Sequence, residues 1–597
     1  MSALQTLWTD VLVAALAEAG VERCVLSPGS RSTPLVTALW RSQRLPVTVI
    51  IDERAAAFYA LAVARSSGRP TALLCTSGSA PGHYLPAVIE AAMAEIPLVI
   101  VSADRPPELQ DAGASQTIAQ ARIFGDQVRL HADLGPPTAS ALGLRAVRRR
   151  VMQAVAAARG PVPGPVHVNV PLRKPLEPGS PAGEAELALA AEARRLVAQP
   201  VAAHAASLEP ASEMIEELAQ AIAAEPRGLL VVGALPESFA AARGDLLALA
   251  ELAGYPLLAE AGSQLRLGPR PAAVVGVDSA DLLLSSWTDG PPEAAAPRLL
   301  LQLGAEPVAP GWHAAAAALT AGAQRWVVAR RWQDASSTAR VVLGDPAQTL
   351  HRLRLAVQRH KLAARGLPFA ACWAESERRA AKALRAAIAA VPDNEVAVLA
   401  AALTTCAELA STEPRPPRLV VGNSLPVRVL DWISLPPASR LAAWLPVATQ
   451  RGASGIDGMI AGAAGAAVDG HAVLAIMGDV TFAHDAGALA VAATARAPLA
   501  LLVVDNGGGR IFDHLPVASA GLPAADYERY FTTAPRLDPV AVARGFGVRA
   551  TLARGAGEVA SAVRAALTTP GATLIHAPVA SDGAKAVRAA ALAELTP

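Results

Sequence analysis

Cysteine is scarce in this chain, and the four present, Cys24, Cys75, Cys372 and Cys406, form no Cys-x-x-Cys pair. Neither a disulfide framework nor a thiolate metal site is expected. Neither sign of charge is in excess: the net charge is +1 at pH 7, which argues against nucleic acid or an anionic membrane as a partner. Long apolar runs are missing too. Hydrophobic residues make up 52% of the chain, with alanine a large part of them, but runs such as Pro97-Leu-Val-Ile-Val and Leu499-Ala-Leu-Leu-Val-Val are strand length. A membrane span needs ~20 apolar residues. The start, Met1-Ser-Ala-Leu-Gln-Thr-Leu-Trp-Thr-Asp, has no basic region followed by an apolar core, so no signal peptide is expected and the expected location is cytoplasmic. Neither GxGxxG opening a helix after a strand nor GxxxxGK[ST] is found, which removes the common nucleotide-binding loops.

What is present is a rhythm. At 597 residues, a prior of about 150 residues per domain predicts three or four domains. Over residues 1–180, short apolar strands near Val21–Leu26, Val47–Ile51, Thr71–Cys75 and Leu98–Ser102 alternate with helical patterns and run into turns rich in Gly, Pro, Ser or Asp. That is the pattern of a doubly wound parallel sheet. A strandless Pro/Ala/Glu/Gly stretch at 181–206 reads as a linker. A second α/β block over 207–350 has strands near Gly228, Arg298 and Arg325, and a helical connection covers 351–390. A third block over 391–597 has strands near Arg418, Val473, Ala500 and Thr573.

The third block carries the most telling stretch. In Ala475-Ile-Met-Gly-Asp479 and Leu501-Leu-Val-Val-Asp-Asn506-Gly-Gly-Gly, each half is a short apolar strand ending on an oxygen-bearing side chain. The intervening residues 480–505 suit one βαβ unit, whose parallel strands end at the same edge of the sheet, where open α/β folds bind ligands. A carboxylate, an amide oxygen and a carbonyl from the glycine run are hard donors, suited to Mg²⁺ that also holds phosphate oxygens. Either half alone is ordinary turn chemistry; the pair at this spacing is far more specific. In the first block, Asp52 reads as a helix N-cap with Glu53 in the first turn, where the helix dipole favours an acid. Arg31, Arg428 and Arg451 follow strands or lie in Gly/Ser-rich turns, where a guanidinium binds a carboxylate through two parallel hydrogen bonds.

The Gly-Asp and Asn pair resembles the signature of the thiamine diphosphate-dependent decarboxylase and carboligase superfamily. The resemblance implies three doubly wound parallel-sheet α/β domains, namely pyrimidine-binding, middle and diphosphate-binding. It implies thiamine diphosphate with Mg²⁺ or Mn²⁺ held by Asp479, Asn506 and the Gly508 carbonyl, and Glu53 as the carboxyl group against N1′ of the aminopyrimidine. Further motifs narrow it: Ser27-Pro-Gly-Ser30-Arg31-Ser, Asp52-Glu-Arg, Cys75-Thr-Ser77-Gly78, Ala103-Asp-Arg105-Pro-Pro-Glu-Leu, Gly113-Ala-Ser-Gln116, Gly422-Asn-Ser424-Leu-Pro-Val-Arg428 and Gln450-Arg451-Gly-Ala-Ser454-Gly-Ile456-Asp. These resemble the menaquinone-pathway branch of the superfamily.

That narrower resemblance implies decarboxylation of 2-oxoglutarate and 1,4-addition of the resulting succinyl-semialdehyde carbanion to isochorismate. Glu53 and Gln116 are then catalytic. Ser77, Gly78, Ser454, Ile456, Gly478, Asp479, Val480 and Asn506 contact the cofactor, Ile456 propping it in a bent conformation. Ser30, Arg31, Arg105, Gln116, Ser424, Arg428 and Arg451 contact substrate. It also implies a homodimer or homotetramer in which the pyrimidine-binding domain of one subunit meets the diphosphate-binding domain of another. The wider resemblance keeps another 2-oxoacid decarboxylase or carboligase, of the acetolactate synthase type, as the alternative. Three departures stand out. His83 replaces a usual amide, Asp505 stands where relatives often carry Asn, and Leu303–Trp312 lacks the middle domain's usual basic residue, with Arg266 and Arg331 the candidates to replace it.

Overall fold

A computed structural model describes residues 2–362, 367–435 and 443–596. The chain forms two compact units, one of residues 1–207 with 452–466 and the other of residues 208–451 with 467–597. Three parallel sheets of six, five and six strands, with helices between the strands, make an α/β protein.

The first unit holds β1 (Arg23–Leu26), β2 (Val47–Val49), β3 (Thr71–Cys75), β4 (Leu98–Asp104), β5 (Leu130–Asp133) and β6 (Val166–Pro171) in the order β2-β1-β3-β4-β6-β5. All neighbours are parallel. Residues of both pleats are buried: Cys24, Leu26, Leu74 and Val101 join one cluster with helices Ser2–Glu18 and Ala141–Arg159, while Val25, Leu73 and Ile100 between them are equally enclosed. A parallel sheet covered on both faces reads as continuous apolar runs, which is why its longer strands are visible in the sequence. Helix Glu53–Ser67 packs against β3 and against helix Met459–Ala466, a late segment that belongs to this unit. Within the stretch expected as a linker, residues Gly183–Ala198 form a helix that packs on helix Ser2–Glu18 and buries Ala190, Ala193 and Leu196.

The second unit holds two sheets. β7 (Gly228–Val232), β8 (Leu257–Ala259), β9 (Leu299–Leu303), β10 (Gln324–Ala329) and β11 (Arg340–Leu343) run in the order β11-β10-β9-β7-β8. β12 (Arg418–Val421), β13 (Val447–Thr449), β14 (Val473–Gly478), β15 (Pro498–Asp505), β16 (Arg549–Leu552) and β17 (Gly571–Pro578) run in the order β13-β12-β14-β15-β17-β16. This repeats the order of the first sheet. In both six-stranded sheets the order reverses beside the first strand, and the crevice outside the strands' carboxyl ends at such a switch point is where open α/β sheets bind ligands. Among the described residues, helix Glu395–Thr412 has the length and hydropathy of a membrane span. Its apolar side chains, Val398, Leu399, Leu403 and Cys406 among them, are spent on the core of the second unit.

One half-buried node in this unit makes stability depend on pH. Glu377 on helix Leu367–Ala390 accepts hydrogen bonds from the Ser279 N–H at 2.8 Å and hydroxyl at 3.1 Å. Burial, and then the Asp278 carboxylate, push its carboxyl up to about 8 from an ordinary 4.5. The folded chain therefore keeps a proton that the unfolded chain releases, so this contribution is complete below 4.5 and lost as pH rises through about 8. The melting temperature is expected to fall between pH 4.5 and about 8, and Glu377→Gln, which cannot ionise, to flatten that fall. A scanning-fluorimetry series in matched buffers checks this, and an equal slope in both proteins would refute it.

Candidate active site

In the first unit the expected residues gather at the carboxyl ends of β1, β2, β3 and β4. The turn after β1 lies against the turn after β3: the Arg31 N–H donates to the Thr76 hydroxyl at 3.2 Å, and a Cβ on Gly29 would fall 2.3 Å from the Thr76 Cβ. Only glycine allows that approach. Arg31 is 4% exposed, donates Nη1 to the Leu172 carbonyl at 2.8 Å, and has a buried Nε with no partner. Arg105, after β4, donates to the Ser77 hydroxyl at 2.7 Å and to the Ser115 carbonyl at 3.2 Å. Burial, then the neighbouring Arg105 guanidinium, lower the Arg31 pKa; burial also lowers that of Arg105. Two guanidiniums are thus held near each other at one strand-end cluster.

Gln116 is exposed, yet its backbone has φ +57°. This left-handed conformation is strained for a non-glycine residue, and such strain clusters at functional sites. Its side chain donates to the Ser77 carbonyl at 2.9 Å, and the Ser77 hydroxyl is 3.3 Å from the Gln116 carbonyl. Behind this pair Gln120, 1% exposed, accepts from the Gly78 N–H at 3.2 Å and donates to the Ser102 hydroxyl, the Ala103 carbonyl and the Asn169 side chain. Ser30 and His83 are exposed.

Glu53 opens its helix as expected, with Asp52 as N-cap accepting from the Arg54 N–H at 2.9 Å. The Arg54 side chain and N–H hold Asp52 below the usual carboxylate range. The cap is supplied by Asp52, so the Glu53 carboxylate is left for other work. Its charge is felt by the buried Cys75 thiol and Tyr84 phenol, both pushed up mainly by burial.

The segment that follows Arg451 is anchored in the first unit by Glu90. This side chain is 2% exposed, pairs with Arg65 at 2.8 Å, and accepts from the Gly452 N–H at 3.1 Å and the Ala453 N–H at 2.6 Å. It therefore fixes the backbone leading into Ser454 and Ile456, the first of which has φ +61°.

In the second unit the paired strand ends are as the spacing predicts. β14 and β15 pair in parallel up to Gly478 opposite Val504, which sets Asp479 level with Asp505 and one residue short of Asn506. Asp479 is 5% exposed; its Oδ2 accepts from the Gly508 N–H at 2.6 Å and its Oδ1 from the Val480 N–H at 2.9 Å. Burial, then the Asp505 carboxylate, raise its pKa to about 7, the condition of a carboxylate that lacks a counter-charge. Asn506 donates its Nδ2 to the buried Glu395 at 3.0 Å, which leaves its oxygen for another partner. The Gly508 carbonyl accepts from the Arg510 N–H at 2.8 Å and keeps a second lone pair. Gly508 has φ +120° and a Cβ there would lie 2.4 Å from the Thr532 carbonyl, so the loop needs glycine. A Cβ on Gly478, by contrast, meets nothing within 4 Å: there is room beside this strand end.

Asp505 bonds His576 of β17 at 2.8 Å and accepts from the Gly507 N–H at 3.1 Å. That His576 bond, its first cause, holds it below the usual carboxylate range. Ser424, after β12, has φ +71°, and its carbonyl accepts from Arg428 Nη1 at 2.7 Å. Burial, then Arg451, lower the Arg428 pKa, with Asp431, Asp281 and Glu260 opposing. Arg428 thus senses three buried carboxylates as well as the Arg451 charge. Arg266 does not reach out to a ligand: it is 5% exposed and donates to the Ala259, Asp278 and Ile433 carbonyls.

The sequence reading missed Glu90, Gln120, Glu395 and His576. None lies in a motif; each is defined by a partner far along the chain. Among the described residues no three His, Cys, Asp or Glu side chains form a cluster able to hold a metal by themselves. The Asp479 carboxylate, Asn506 amide oxygen and Gly508 carbonyl are instead an incomplete oxygen set, of the kind that Mg²⁺ completes with phosphate oxygens and water.

Two family profiles match the chain. That of the thiamine pyrophosphate enzyme N-terminal TPP binding domain covers residues 8–123, and that of the C-terminal TPP binding domain covers residues 439–577. The 2-succinyl-5-enolpyruvyl-6-hydroxy-3-cyclohexene-1-carboxylate synthase of Sorangium cellulosum is 43% identical, over 98% of this chain and 95% of the relative. Enzymes of the same name from Halobacterium salinarum and Geobacillus thermodenitrificans are 35% and 34% identical, over 96% and 95% of this chain and 95% and 92% of the relatives.

Proposed function

Since the chain belongs to the 2-succinyl-5-enolpyruvyl-6-hydroxy-3-cyclohexene-1-carboxylate synthase family, thiamine diphosphate-dependent transferases of menaquinone biosynthesis, we propose that it decarboxylates 2-oxoglutarate and adds the four-carbon fragment in 1,4 fashion to isochorismate. The observation that carries this reading is the set of strand-end arginines: Arg31 tied to the Leu172 carbonyl and Arg105 to the Ser77 hydroxyl in the first unit, and Arg428 tied to the Ser424 carbonyl, with Arg451 after β13, in the second. A guanidinium at a strand end binds a carboxylate through two parallel hydrogen bonds. Each of the two substrates is a dicarboxylate.

Asp479, Asn506 and the Gly508 carbonyl would hold Mg²⁺ or Mn²⁺, which would supply positive charge for the diphosphate. Thiamine diphosphate supplies the electron sink for the pair left when carbon dioxide departs. Glu53 moves a proton at N1′ of the aminopyrimidine. Ser77, Gly78, Ser454, Ile456, Gly478 and Val480 shape the cofactor's seat, although the Val480 N–H is taken by Asp479. Ser30, Gln116 and Ser424 stand at the substrate. Gln116 meets it by leaving the Ser77 carbonyl, an exchange of one hydrogen bond for another. Self-association as a homodimer or homotetramer belongs to the same reading.

The test is consumption of isochorismate, followed by its absorbance, with 2-oxoglutarate, thiamine diphosphate and Mg²⁺. Turnover is expected only when all are present. Consumption of pyruvate in place of 2-oxoglutarate, or no need for isochorismate, would overturn the substrate assignment and favour the acetolactate synthase type.

A further inference from the structure

We propose that Glu395 is a positioning residue, turning the Asn506 amide so that its oxygen, not its nitrogen, faces the cation. The proposal rests on Asp479 and Asn506 being the metal pair. Glu395 opens helix Glu395–Thr412, behind an Asn394 cap that accepts from the Ala397 N–H. It is 2% exposed, and its Oε2 accepts from Asn506 Nδ2 at 3.0 Å across 111 residues of sequence.

An amide side chain presents nearly the same shape after a half-turn, but the two ends carry opposite partial charges. Only the oxygen end serves a hard cation; the flipped amide would aim N–H groups at it. Asn506 comes off β15 with that choice open, because its strand fixes only the backbone. A carboxylate can only accept, so Glu395 captures the nitrogen end and leaves the oxygen end directed elsewhere. Asp479 needs no such device, because either of its oxygens serves, and backbone N–H groups of Val480 and Gly508 already orient it. Partners that orient a metal ligand are typically worth about 10- to 100-fold in metal affinity.

The experiment measures Mn²⁺ affinity of the full-length protein with thiamine diphosphate, read from the electron paramagnetic resonance signal of free Mn²⁺. Glu395→Gln keeps an acceptor oxygen and is expected to bind within about threefold of wild type. Glu395→Met has no acceptor and is expected to bind about 10- to 100-fold more weakly. Asn506→Asp sets two carboxylates against each other and is expected to weaken binding. Adding Glu395→Gln to it supplies an N–H donor for the inner oxygen and is expected to restore affinity. A merely structural role for Glu395 does not predict that rescue. The proposal is overturned if Glu395→Met binds like wild type, if Glu395→Gln weakens as much as Glu395→Met, or if the double variant recovers nothing. Should Glu395→Met fail to fold, the Asn506→Asp pair decides alone. A wild-type protein that takes up no Mn²⁺ overturns the underlying reading of the site, which separates the two failures.

Discussion

A Glu53→Gln protein is expected to bind thiamine diphosphate and Mg²⁺ nearly as the wild type does and to release carbon dioxide from 2-oxoglutarate about 10²- to 10⁴-fold more slowly. The substitution is nearly isosteric, and the local structure does not depend on the Glu53 charge. Asp52, not Glu53, caps the helix, and the apolar face of Glu53–Ser67, from Ala55 to Ala64, is buried independently of it. What glutamine removes is a group able to take up and return a proton. A first-turn acid that is not needed as a cap, beside the enclosed Cys75 and Tyr84, is placed for chemistry rather than for helix stability. Single-turnover carbon dioxide release reads the chemistry, and quenching of tryptophan fluorescence reads cofactor binding. Wild-type turnover by this variant would sink the role of Glu53; loss of cofactor binding in step with activity would make the residue a binding group instead.

Much of this site was legible because its residues follow strands long enough to be seen. β3, β7, β14 and β15 are enclosed on both faces, so their sequences are nearly unbroken apolar runs, and the residue where each run stops is the one at the sheet edge. Apart from β2, the edge strands escaped. β5 and β16 are four residues long and part-exposed, with Leu130-His-Ala-Asp and Arg549-Ala-Thr-Leu carrying no clear alternation. β6 was hidden differently: Val166-His-Val-Asn-Val buries two polar side chains, which is tolerable because His167 bonds the Ser102 hydroxyl at 2.7 Å and Asn169 donates to Asp104 at 2.9 Å. The helix Gly183–Ala198 was lost among Pro, Gly and Glu residues whose turn signals outweighed three buried apolar positions.

The supporting residues were out of reach for a different reason. Glu90 meets Gly452 across 362 residues and Glu395 meets Asn506 across 111. No local pattern marks a buried acid whose partner is a backbone N–H or an amide elsewhere in the fold. The repeat of one strand order in two sheets of unlike sequence is equally invisible along the chain, since topology is carried by the crossovers and not by residue identity. Motif reading thus finds the groups that face ligand, and the structure adds the groups that hold them still.

Asp479→Asn is expected to weaken binding of thiamine diphosphate with Mg²⁺ by more than about 10²-fold, beyond the range of an orienting partner, while Asp505→Asn changes it less than about tenfold. The two aspartates follow adjacent strands and sense each other's charge, so which of them carries the cation is a real choice. Geometry favours Asp479. Asp505 is committed to the His576 side chain and to the Gly507 N–H, and the His576 bond holds it below the usual carboxylate range, so it gains less from a metal. Asp479 accepts from two backbone N–H groups, is more deeply enclosed, and is raised to about 7 by burial and by Asp505. A divalent cation removes that penalty, so the binding free energy includes the relief of a carboxylate held without its counter-charge. Asparagine at 479 keeps an acceptor for one N–H but loses the charge and with it that relief. Isothermal titration of each variant with Mg²⁺ at saturating thiamine diphosphate, at pH 8 where both carboxylates are ionised in the wild type, reads the difference. If Asp505→Asn proves the more damaging, the cation sits on the strand-end residue before Asn506, and the assignment of Asp479 as ligand fails while the carboxylate-rich character of the site stands.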